Sequence, residues 1–289
     1  MIRSTSFLLA ISVLSLASLA QDGSAQEYLL RYKLKPGTQL VSKVEHFAET
    51  KTTMTDHVEQ SSSRTASEKA WEVQSVTPSG DATFIYKILA VNLAQTVGEA
   101  EEIRYDSAKN EQVPDVFKSV ASTIGKPLAT ITINSRGQVT KREGDLKNHQ
   151  MGMGDLTVPL PETKVKIGGQ WSVPRELRVK LDNGKYKKIK VRELYTLEKV
   201  SAGLATINIT TQPTTPVNSR AIEAQLMQQL SKGKIKFDID AGVMISKKLD
   251  WSDRVVAFRG PESSLEYDAK FTEELVSTKR TASLPSAKR

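Results

Sequence analysis

Three histidines are the side chains of this chain best suited to acid–base catalysis: His46, His57 and His149. A serine or threonine nucleophile normally needs such a base beside it. His46 and His57 are eleven residues apart (57 − 46) in what the pattern indicates is one extended segment. An odd separation places two residues on opposite faces of a regular strand, and His149 lies in a predicted connector. We therefore interpret all three as exposed histidines without a shared catalytic or metal-binding role.

A group of aspartates is the second candidate for chemistry. Asp238 and Asp240 share one face of a predicted strand, and Asp250 and Asp253 follow nearby. Clustered carboxylates can bind calcium or act as an acid–base pair. Strand alternation alone, however, already explains the first two as a solvated face. A solvated strand face is therefore the favoured interpretation, and a binding or acid–base role is the alternative.

The motifs of common enzyme families are missing from the sequence. It contains no cysteine, which excludes disulfides, zinc–thiolate sites and thiol nucleophiles. It also contains no Gly-x-Ser-x-Gly, phosphate-binding loop, dinucleotide fingerprint or His-Glu-x-x-His motif. No residues remain to carry an enzyme mechanism. The sequence predicts a protein that is not an enzyme and that uses no cofactor or metal.

Residues 1–25 have the three-part layout of a secretory signal peptide. Arg3 precedes the apolar run 7–17, and the small residues after it allow cleavage after Ala20 or after Ala25. The apolar run is shorter than the roughly 20 residues that a membrane span needs, which disfavours the alternative of a retained anchor helix. No later segment reaches that length either. The sequence predicts export to the periplasm or the extracellular space.

The net charge of +8 can attract anionic lipid, cell-wall polymers or nucleic acid. Predicted export and the spread of Lys and Arg along the chain argue against nucleic acid as a partner. The densest cluster, 185–192, alternates, with Ile189 and Val191 on one face and lysine or arginine on the other. A solvated outer strand face is the favoured interpretation of this cluster. A binding patch is the alternative.

Alternation of apolar and polar residues dominates the chain after residue 25. Segments 28–35 and 265–272 alternate apolar with charged side chains, and strands with one apolar and one wet face form antiparallel sheets. Between Phe84 and Leu93 the apolar positions change phase. That change predicts a β-bulge or a strand covered on both faces. The predicted fold class is α+β, mainly antiparallel β.

Two segments show helical spacing of apolar residues. The first predicts a helix over 113–124, with Gly125 as its stop. The second predicts a helix over 219–232, with Ser219 as its cap and Gly233 in its stop. The fold therefore needs a place for two helices among many strands.

The two helices occupy equivalent places in a pattern that occurs twice. Each half opens with an apolar-Lys-x-Gly turn, continues with strand, turn and strand, and leaves its helix through Gly-Lys into a hairpin. Five landmarks in conserved order predict a tandem duplication. The predicted organisation is a first repeat over 26–143, a flexible connector over 144–157, a second repeat over 158–277 and a disordered basic tail over 278–289. The extra length of the first repeat lies mainly in 44–67, a predicted long exposed hairpin.

At 158–162 and 165–171 the chain resembles a family of exported bacterial proteins of unknown function. Their second halves begin with a Pro-rich step and a Lys-x-Gly-x-x-Trp turn, and segment 28–37 is similar to their mature N-terminus. This resemblance implies no activity and no site residues. In architecture the chain is similar to the half-barrel of LolA-type carriers of lipids and lipoproteins. That analogy alone implies a curved sheet around helices with an apolar cavity.

The predicted function is a non-enzymatic binding module of the cell envelope that holds an apolar ligand or a lipid-linked partner. The predicted ligand-binding residues are Tyr28, Tyr32, Phe84, Tyr86, Phe117, Leu226 and Phe237. For each of them the alternative is a solid core, since alternating apolar positions normally face a core. The alternative function is a structural or protein-interaction component of the envelope. A cavity above roughly 300 Å³ would favour the first function, and a free strand edge the second.

Overall fold

A computed structural model of the protein describes residues 26–109, 111–144, 157–181 and 183–280. The predicted signal peptide, His149, nearly all of the predicted connector and most of the predicted basic tail lie outside these ranges. The strands are β1 Glu27–Tyr28, β2 Thr38–Met54, β3 His57–Val76, β4 Ala82–Val97, β5 Ile103–Asp106, β6 Pro127–Ile133, β7 Val139–Glu143, β8 Val165–Lys166, β9 Gln170–Lys180, β10 Tyr186–Ser201, β11 Leu204–Pro213, β12 Lys232–Asp238, β13 Val243–Val256 and β14 Ser263–Arg280.

Twelve of these strands form one antiparallel sheet in the order β7-β6-β4-β3-β2-β14-β13-β12-β11-β10-β9, and β5 pairs with β4 off this path. The short strands β1 and β8 pair with each other separately. Mainly antiparallel β structure with few helices is therefore confirmed.

Strands β2 and β14 form the seam between the first half (β2–β7) and the second half (β9–β14). They pair from Met54 with Ser263 to Thr38 with Arg280. On one side of β14 the sheet order is β7-β6-β4-β3-β2, and on the other it is β13-β12-β11-β10-β9. Each side contains, in chain order, three long strands, a helix and a hairpin, and the first half has the additional short strand β5 before its helix.

A β-bulge in β4 accounts for the change of phase in its apolar residues. The register between β3 and β4 shifts at Leu89, which has no partner of its own on β3. Phe84 and Ile88 before the bulge are buried, and so are Val91 and Leu93 after it. The extra residue thus keeps both apolar sets on the same face of the sheet, and the predicted bulge is confirmed.

The helix of the first half is shorter than the predicted 113–124. A 3₁₀ turn Asp115–Phe117 leads into helix α1 at Lys118–Ala121. Gly125 ends the segment as predicted, with a φ of +75° and its N–H donating to the Ile88 carbonyl at 2.8 Å. The apolar spacing therefore marked the position of the helix but overestimated its length.

The helix of the second half is also shorter than the predicted 219–232. Helix α2 spans Arg220–Leu226 and continues as a 3₁₀ turn only to Gln229. The Ser219 side chain makes no capping hydrogen bond. Gly233 does not end the helix but lies inside β12, where a Cβ atom would overlap the Lys248 carbonyl of β13. No helix of the described residues is long and apolar enough to cross a membrane.

The sheet curves so strongly that distant strands share one core. Phe84 of β4 and Phe237 of β12, five places apart in the sheet, belong to the same hydrophobic cluster. The segment before β2 fills the space between them, because the Tyr32 ring lies edge-on at 5.3 Å from the Phe237 ring. The Tyr32 hydroxyl also accepts a hydrogen bond from the Val158 N–H at 3.0 Å. The segment containing Tyr32, before β2, and the segment containing Val158, before β9, thus fill the concave face of the sheet.

The backbone of residues 32 and 33 connects the two halves. The Tyr32 N–H donates to the Ser135 carbonyl in the β6–β7 turn at 2.8 Å. The Lys33 N–H donates to the Gly242 carbonyl in the β12–β13 turn at 3.0 Å. Since these turns belong to different halves, the segment fixes their relative position at this end of the sheet.

A substitution of Gly137 in the β6–β7 turn would show how tightly the segment containing Tyr32 packs against that turn. The φ of Gly137 is +77°, and a Cβ atom would lie 2.5 Å from the Tyr32 ring, whereas Gly98 has a φ of +59° and open space around it. We expect Gly98→Ala to cost about 1 kcal/mol for the left-handed backbone alone. Gly137→Ala should cost roughly 1–3 kcal/mol more because of the overlap. Urea unfolding measures both, and equal losses would contradict this packing.

A buried ion pair crosses the seam. The Lys69 Nζ of β3 lies 2.7 Å from the Glu273 Oε1 of β14, and each side chain is only 1% exposed. Lys247 of β13 is directly opposite Glu273 in the register and is 3% exposed. Its ammonium group also lies 5.8 Å from the centre of the Phe271 ring. A second buried cation therefore lies on the strand next to the ion pair.

Substitution of Glu273 should be far more costly than substitution of its neighbour. Glu273→Gln leaves the buried Lys69 without its carboxylate, and we expect a loss of about 3–5 kcal/mol in the free energy of unfolding. The control is Glu274→Gln, which removes an exposed pair with Lys248 at 3.2 Å and should cost less than about 1 kcal/mol. Lys69→Met in the Glu273→Gln background should recover part of the loss. Similar urea midpoints for the two single variants would refute this account.

Candidate functional site

The predicted ligand-binding residues occupy three separate parts of the interior. Four are buried together in the main core: Tyr32, Phe84, Tyr86 and Phe237. Tyr28 packs against that core. Phe117 belongs to a cluster of α1 with β4 and β5, and Leu226 to a cluster of α2 with β9 and β10. The structure thus unites most of the aromatic set but separates it from Phe117 and Leu226.

Little space remains around the aromatic residues of the main core. A cavity bordered by Tyr32, Trp71 and Glu273 has a volume of about 20 Å³, which suffices for about one water molecule. Burial raises the pKa of the Tyr32 and Tyr86 phenols well above the ordinary value, so both hydroxyl groups stay protonated. In the described structure these side chains form packed core.

A cleft of about 900 Å³ opens instead in the second half, between β9, α2 and the turn that joins β13 to β14. Its apolar lining includes Leu177 of β9, Ala221 and Ala224 of α2, Phe258 of the turn and Leu265 of β14, but most of its exposed lining is polar and includes Gln228 and Gln229. Leu226 also lines it and is the one predicted ligand-binding residue that does so. The volume lies within the range of small-molecule sites, roughly 300–1,000 Å³.

Helix α2 spans the curve of the sheet and forms the floor of this cleft. Ile222 and Leu226 pack on β9 and β10. Ala224 and Met227, on the other side of the helix, pack on β13 and β14. Strands four places apart in the sheet are therefore held on opposite sides of one short helix. The cleft lies where β9 and the β13–β14 turn face each other across it.

The side-chain amide of Gln225 fastens α2 to the free edge of β9. Its Nε2 donates to the Lys180 carbonyl and its Oε1 accepts from the Lys180 N–H, both at 2.8 Å. These two bonds replace the pairing that a further strand would offer at this position. Pro174 lies in the same edge strand, and proline at an edge opposes pairing with another chain. The edge of β9 is thus poorly suited to strand addition.

Positive charge borders the cleft. Arg178, Lys180 and Arg259 are exposed lining residues, and none of them forms an ion pair with a carboxylate of the described residues. Glu176, at the same border, is already paired with Lys188 at 2.7 Å. The hydrogen bond from Lys188 is the main cause that lowers the pKa of Glu176. The border therefore has cationic groups available for an anionic group of a ligand.

The histidines do not form a site. His46 lies in β2 and His57 in β3, on the two arms of the hairpin that turns at 55–56, so the single extended segment expected for them is wrong. His57 is exposed, whereas His46 is half-buried, with its ring edge-on to Trp251 at 6.2 Å and 6.5 Å from Phe271. An exposed His46 was therefore also a wrong expectation. Among the described residues no group of three His, Asp or Glu could hold a metal ion.

Asp238 has a structural task in the β12–β13 turn. Its Oδ1 accepts hydrogen bonds from the N–H groups of Asp240 at 2.9 Å and Ala241 at 2.8 Å, which is how aspartate commonly stabilises a turn. Asp240 is exposed, as are Asp250 and Asp253. The predicted solvated face is therefore correct for Asp240, whereas the half-buried Asp238 accepts hydrogen bonds from the backbone of the turn.

No family model and no curated protein matches the chain. A solved structure that concerns lipid–protein interactions in lipovitellin is similar at 12% identity and a TM-score of 0.49, over 88% of this chain and 27% of that one. The Salmonella type III secretion injectisome secretin InvG is similar at 7% identity and a TM-score of 0.19, over 87% of this chain and 62% of that one. The chain thus spans less than two thirds of either protein, and neither similarity indicates what it binds.

The burial of His46 predicts how the stability of the fold depends on pH. Burial lowers the pKa of His46 below its ordinary value of about 6.5, so the folded state binds this proton less readily than the unfolded state. The stability that the neutral His46 ring contributes is therefore complete above a pH of about 6.5 and is lost as the pH falls below about 6.5. An NMR titration, assigned with His46→Gln, should show the His46 ring titrating at a lower pH than in the urea-unfolded protein. An equal or higher midpoint would contradict the burial.

Proposed function

We propose that this chain is an exported, non-enzymatic binding module of the cell envelope that holds a molecule with an apolar body in the cleft beside α2. The cleft itself is the observation that supports this function. It has a volume of about 900 Å³, and Ala221, Ala224 and Leu265 form an apolar patch within a mainly polar lining. Export to the periplasm or beyond is part of the proposal and rests on the layout of residues 1–25.

The charges at the border suggest which molecules suit the cleft. An apolar body would cover the α2 floor, while an anionic group would lie near Arg178 or Arg259. Cationic side chains without a carboxylate partner lose no ion pair when they bind such a group. A lipid or another amphipathic acid meets both requirements, and the proposed ligand class is therefore an amphiphile.

The proposed site differs from the aromatic set predicted from the sequence, and only Leu226 belongs to both. The main-core aromatic residues support the site indirectly, because they hold the sheet in its curve around the segment that contains Tyr32. Without that curve, β9 and the β13–β14 turn would not face each other across α2.

We also propose that the two halves are copies of one duplicated unit. The same succession of strands, helix and hairpin on both sides of β14 supports this. Further support comes from the hairpin-turn glycines Gly137 and Gly242, which contact the adjacent residues Tyr32 and Lys33. The copies differ at the helix, since α1 has four residues and α2 has seven. The cleft belongs to the copy with the longer helix.

The alternative, a structural or protein-interaction component, would need a strand edge that can accept a partner. At the far edge of the sheet, β7 has five residues and all of them are exposed. Lys141, Arg142 and Glu143 give this strand charged side chains, which oppose edge-to-edge pairing. With Gln225 and Pro174 at the other edge, the structure favours ligand binding over strand addition.

Filling the cleft should abolish ligand binding. Ala221→Phe places a ring on the α2 floor, and we expect it to weaken binding of a fluorescent fatty acid by at least about tenfold, the loss that corresponds to about 1.4 kcal/mol. The matched control is Ala100→Phe in the exposed turn between β4 and β5, which should bind like the wild type. Fluorescence titration of protein stripped of endogenous lipid makes the comparison. Unchanged binding by Ala221→Phe would move the site away from this cleft.

The natural ligand can be sought directly. An organic extract of protein purified under native conditions is analysed by mass spectrometry beside an extract of denatured protein. We expect a stoichiometric amphiphile that is released only on denaturation and is absent from Ala221→Phe. A clean extract, together with no binding of the fatty acid, would overturn the proposed function.

A further inference from the structure

The β9–β10 hairpin carries a concentration of positive charge beside the cleft. We call the exposed cations on one face of this hairpin the basic hairpin: Arg178, Lys180, Lys188, Lys190 and Arg192. Arg178 and Lys180 belong both to the basic hairpin and to the border of the cleft. The charged surface and the proposed binding site are therefore continuous.

Among the described residues the basic hairpin has more cations than neighbouring carboxylates. Arg178 and Lys188 lie directly opposite each other in the register, and like charges in that position destabilise a strand pair. Glu176 pairs with Lys188 and also attracts Lys190 and Arg178. Glu193 points into the interior, where it pairs with Arg175 at 3.1 Å and is buried. One exposed carboxylate is therefore shared by several cations of this face.

An aromatic side chain stands among these cations. Tyr186 begins β10 opposite Lys180 and is 69% exposed. A ring with an apolar body and a polar end is well suited to the boundary between a bilayer and water. Cationic side chains add attraction to anionic lipid headgroups at the same surface.

We propose that the basic hairpin docks the protein onto a bilayer containing anionic phospholipid, with the mouth of the cleft at the bilayer surface. This inference rests on the proposed function, because an amphiphile enters the cleft from such a surface. The continuity of the cations with the cleft favours a bilayer over a nucleic acid, which has no apolar body to offer the α2 floor. Charge complementarity and the exposed Tyr186 ring supply the contacts.

Vesicle sedimentation tests the docking. The full chain should sediment with vesicles of phosphatidylcholine and phosphatidylglycerol in equal amounts, but not with phosphatidylcholine alone, and added salt should release it. The variant Lys190→Gln/Arg192→Gln should lose at least about tenfold in binding, since each cation near the surface contributes to the attraction.

A second variant separates the local surface from the overall charge. The variant Lys43→Gln/Lys51→Gln removes the same charge from the central strands, where Glu45 and Glu49 lie beside the lysines. It should keep vesicle binding within about twofold of the wild type, because its cations are already balanced nearby. Equal losses in the two variants would overturn docking through the basic hairpin.

Fatty-acid titration without vesicles tests the proposed ligand binding separately from docking to the bilayer. The variant Lys190→Gln/Arg192→Gln should bind the fatty acid like the wild type, since neither residue lines the cleft. Fatty-acid binding without vesicle binding would overturn the docking and leave the proposed function standing. Failure of fatty-acid binding would overturn the function. Tighter binding of a DNA or RNA oligonucleotide than of anionic vesicles at equal salt would overturn the bilayer as the occupant.

Discussion

The carboxylate of Glu273 occupies the position on which the curved sheet depends. It bonds to Lys69 across β2 and faces Lys247 on β13, so it connects the interior side of both halves at the seam. A buried ion pair commonly contributes less stability than apolar packing of the same volume. Its effect here is on register, because a slip of β14 by one residue would turn Glu273 outward. The buried Lys69 would then lose its carboxylate, which penalises every such misalignment.

The interior of the sheet is closed at its two ends by different means. At the end with the hairpin turns, the segment containing Tyr32 and the segment containing Val158 fill the concave face with packed side chains. At the opposite end of the second half, α2 alone bridges the curve. Helix α2 has only two turns and does not fill the space between β9 and the β13–β14 turn. The cleft is the part of that space that α2 leaves empty. The proposed function therefore depends on a helix that fills its half of the sheet incompletely.

Local patterns in the sequence were sufficient for the strands, because alternation is a property of neighbouring residues. Even the bulge at Leu89 could be predicted from the change of apolar phase. The helices were overestimated because apolar spacing does not show where the next strand begins, and Gly233 serves a close strand contact. The cleft could not be predicted, since it combines β9, α2 and the β13–β14 turn through the curvature of the whole sheet. Buried Lys69 likewise resembles any polar residue of an alternating strand.

The pairing of β2 with β14 joins a strand near the beginning of the described chain to its last strand. During synthesis the whole first half emerges before β14 exists, and β2 then has one long edge without a partner. Such edges attract other chains, and contacts of high sequence separation form slowly. The newly made protein should therefore be most prone to aggregation in the interval before β14 is synthesised. A chaperone that shields β2 would have to release it only after β14 has been made.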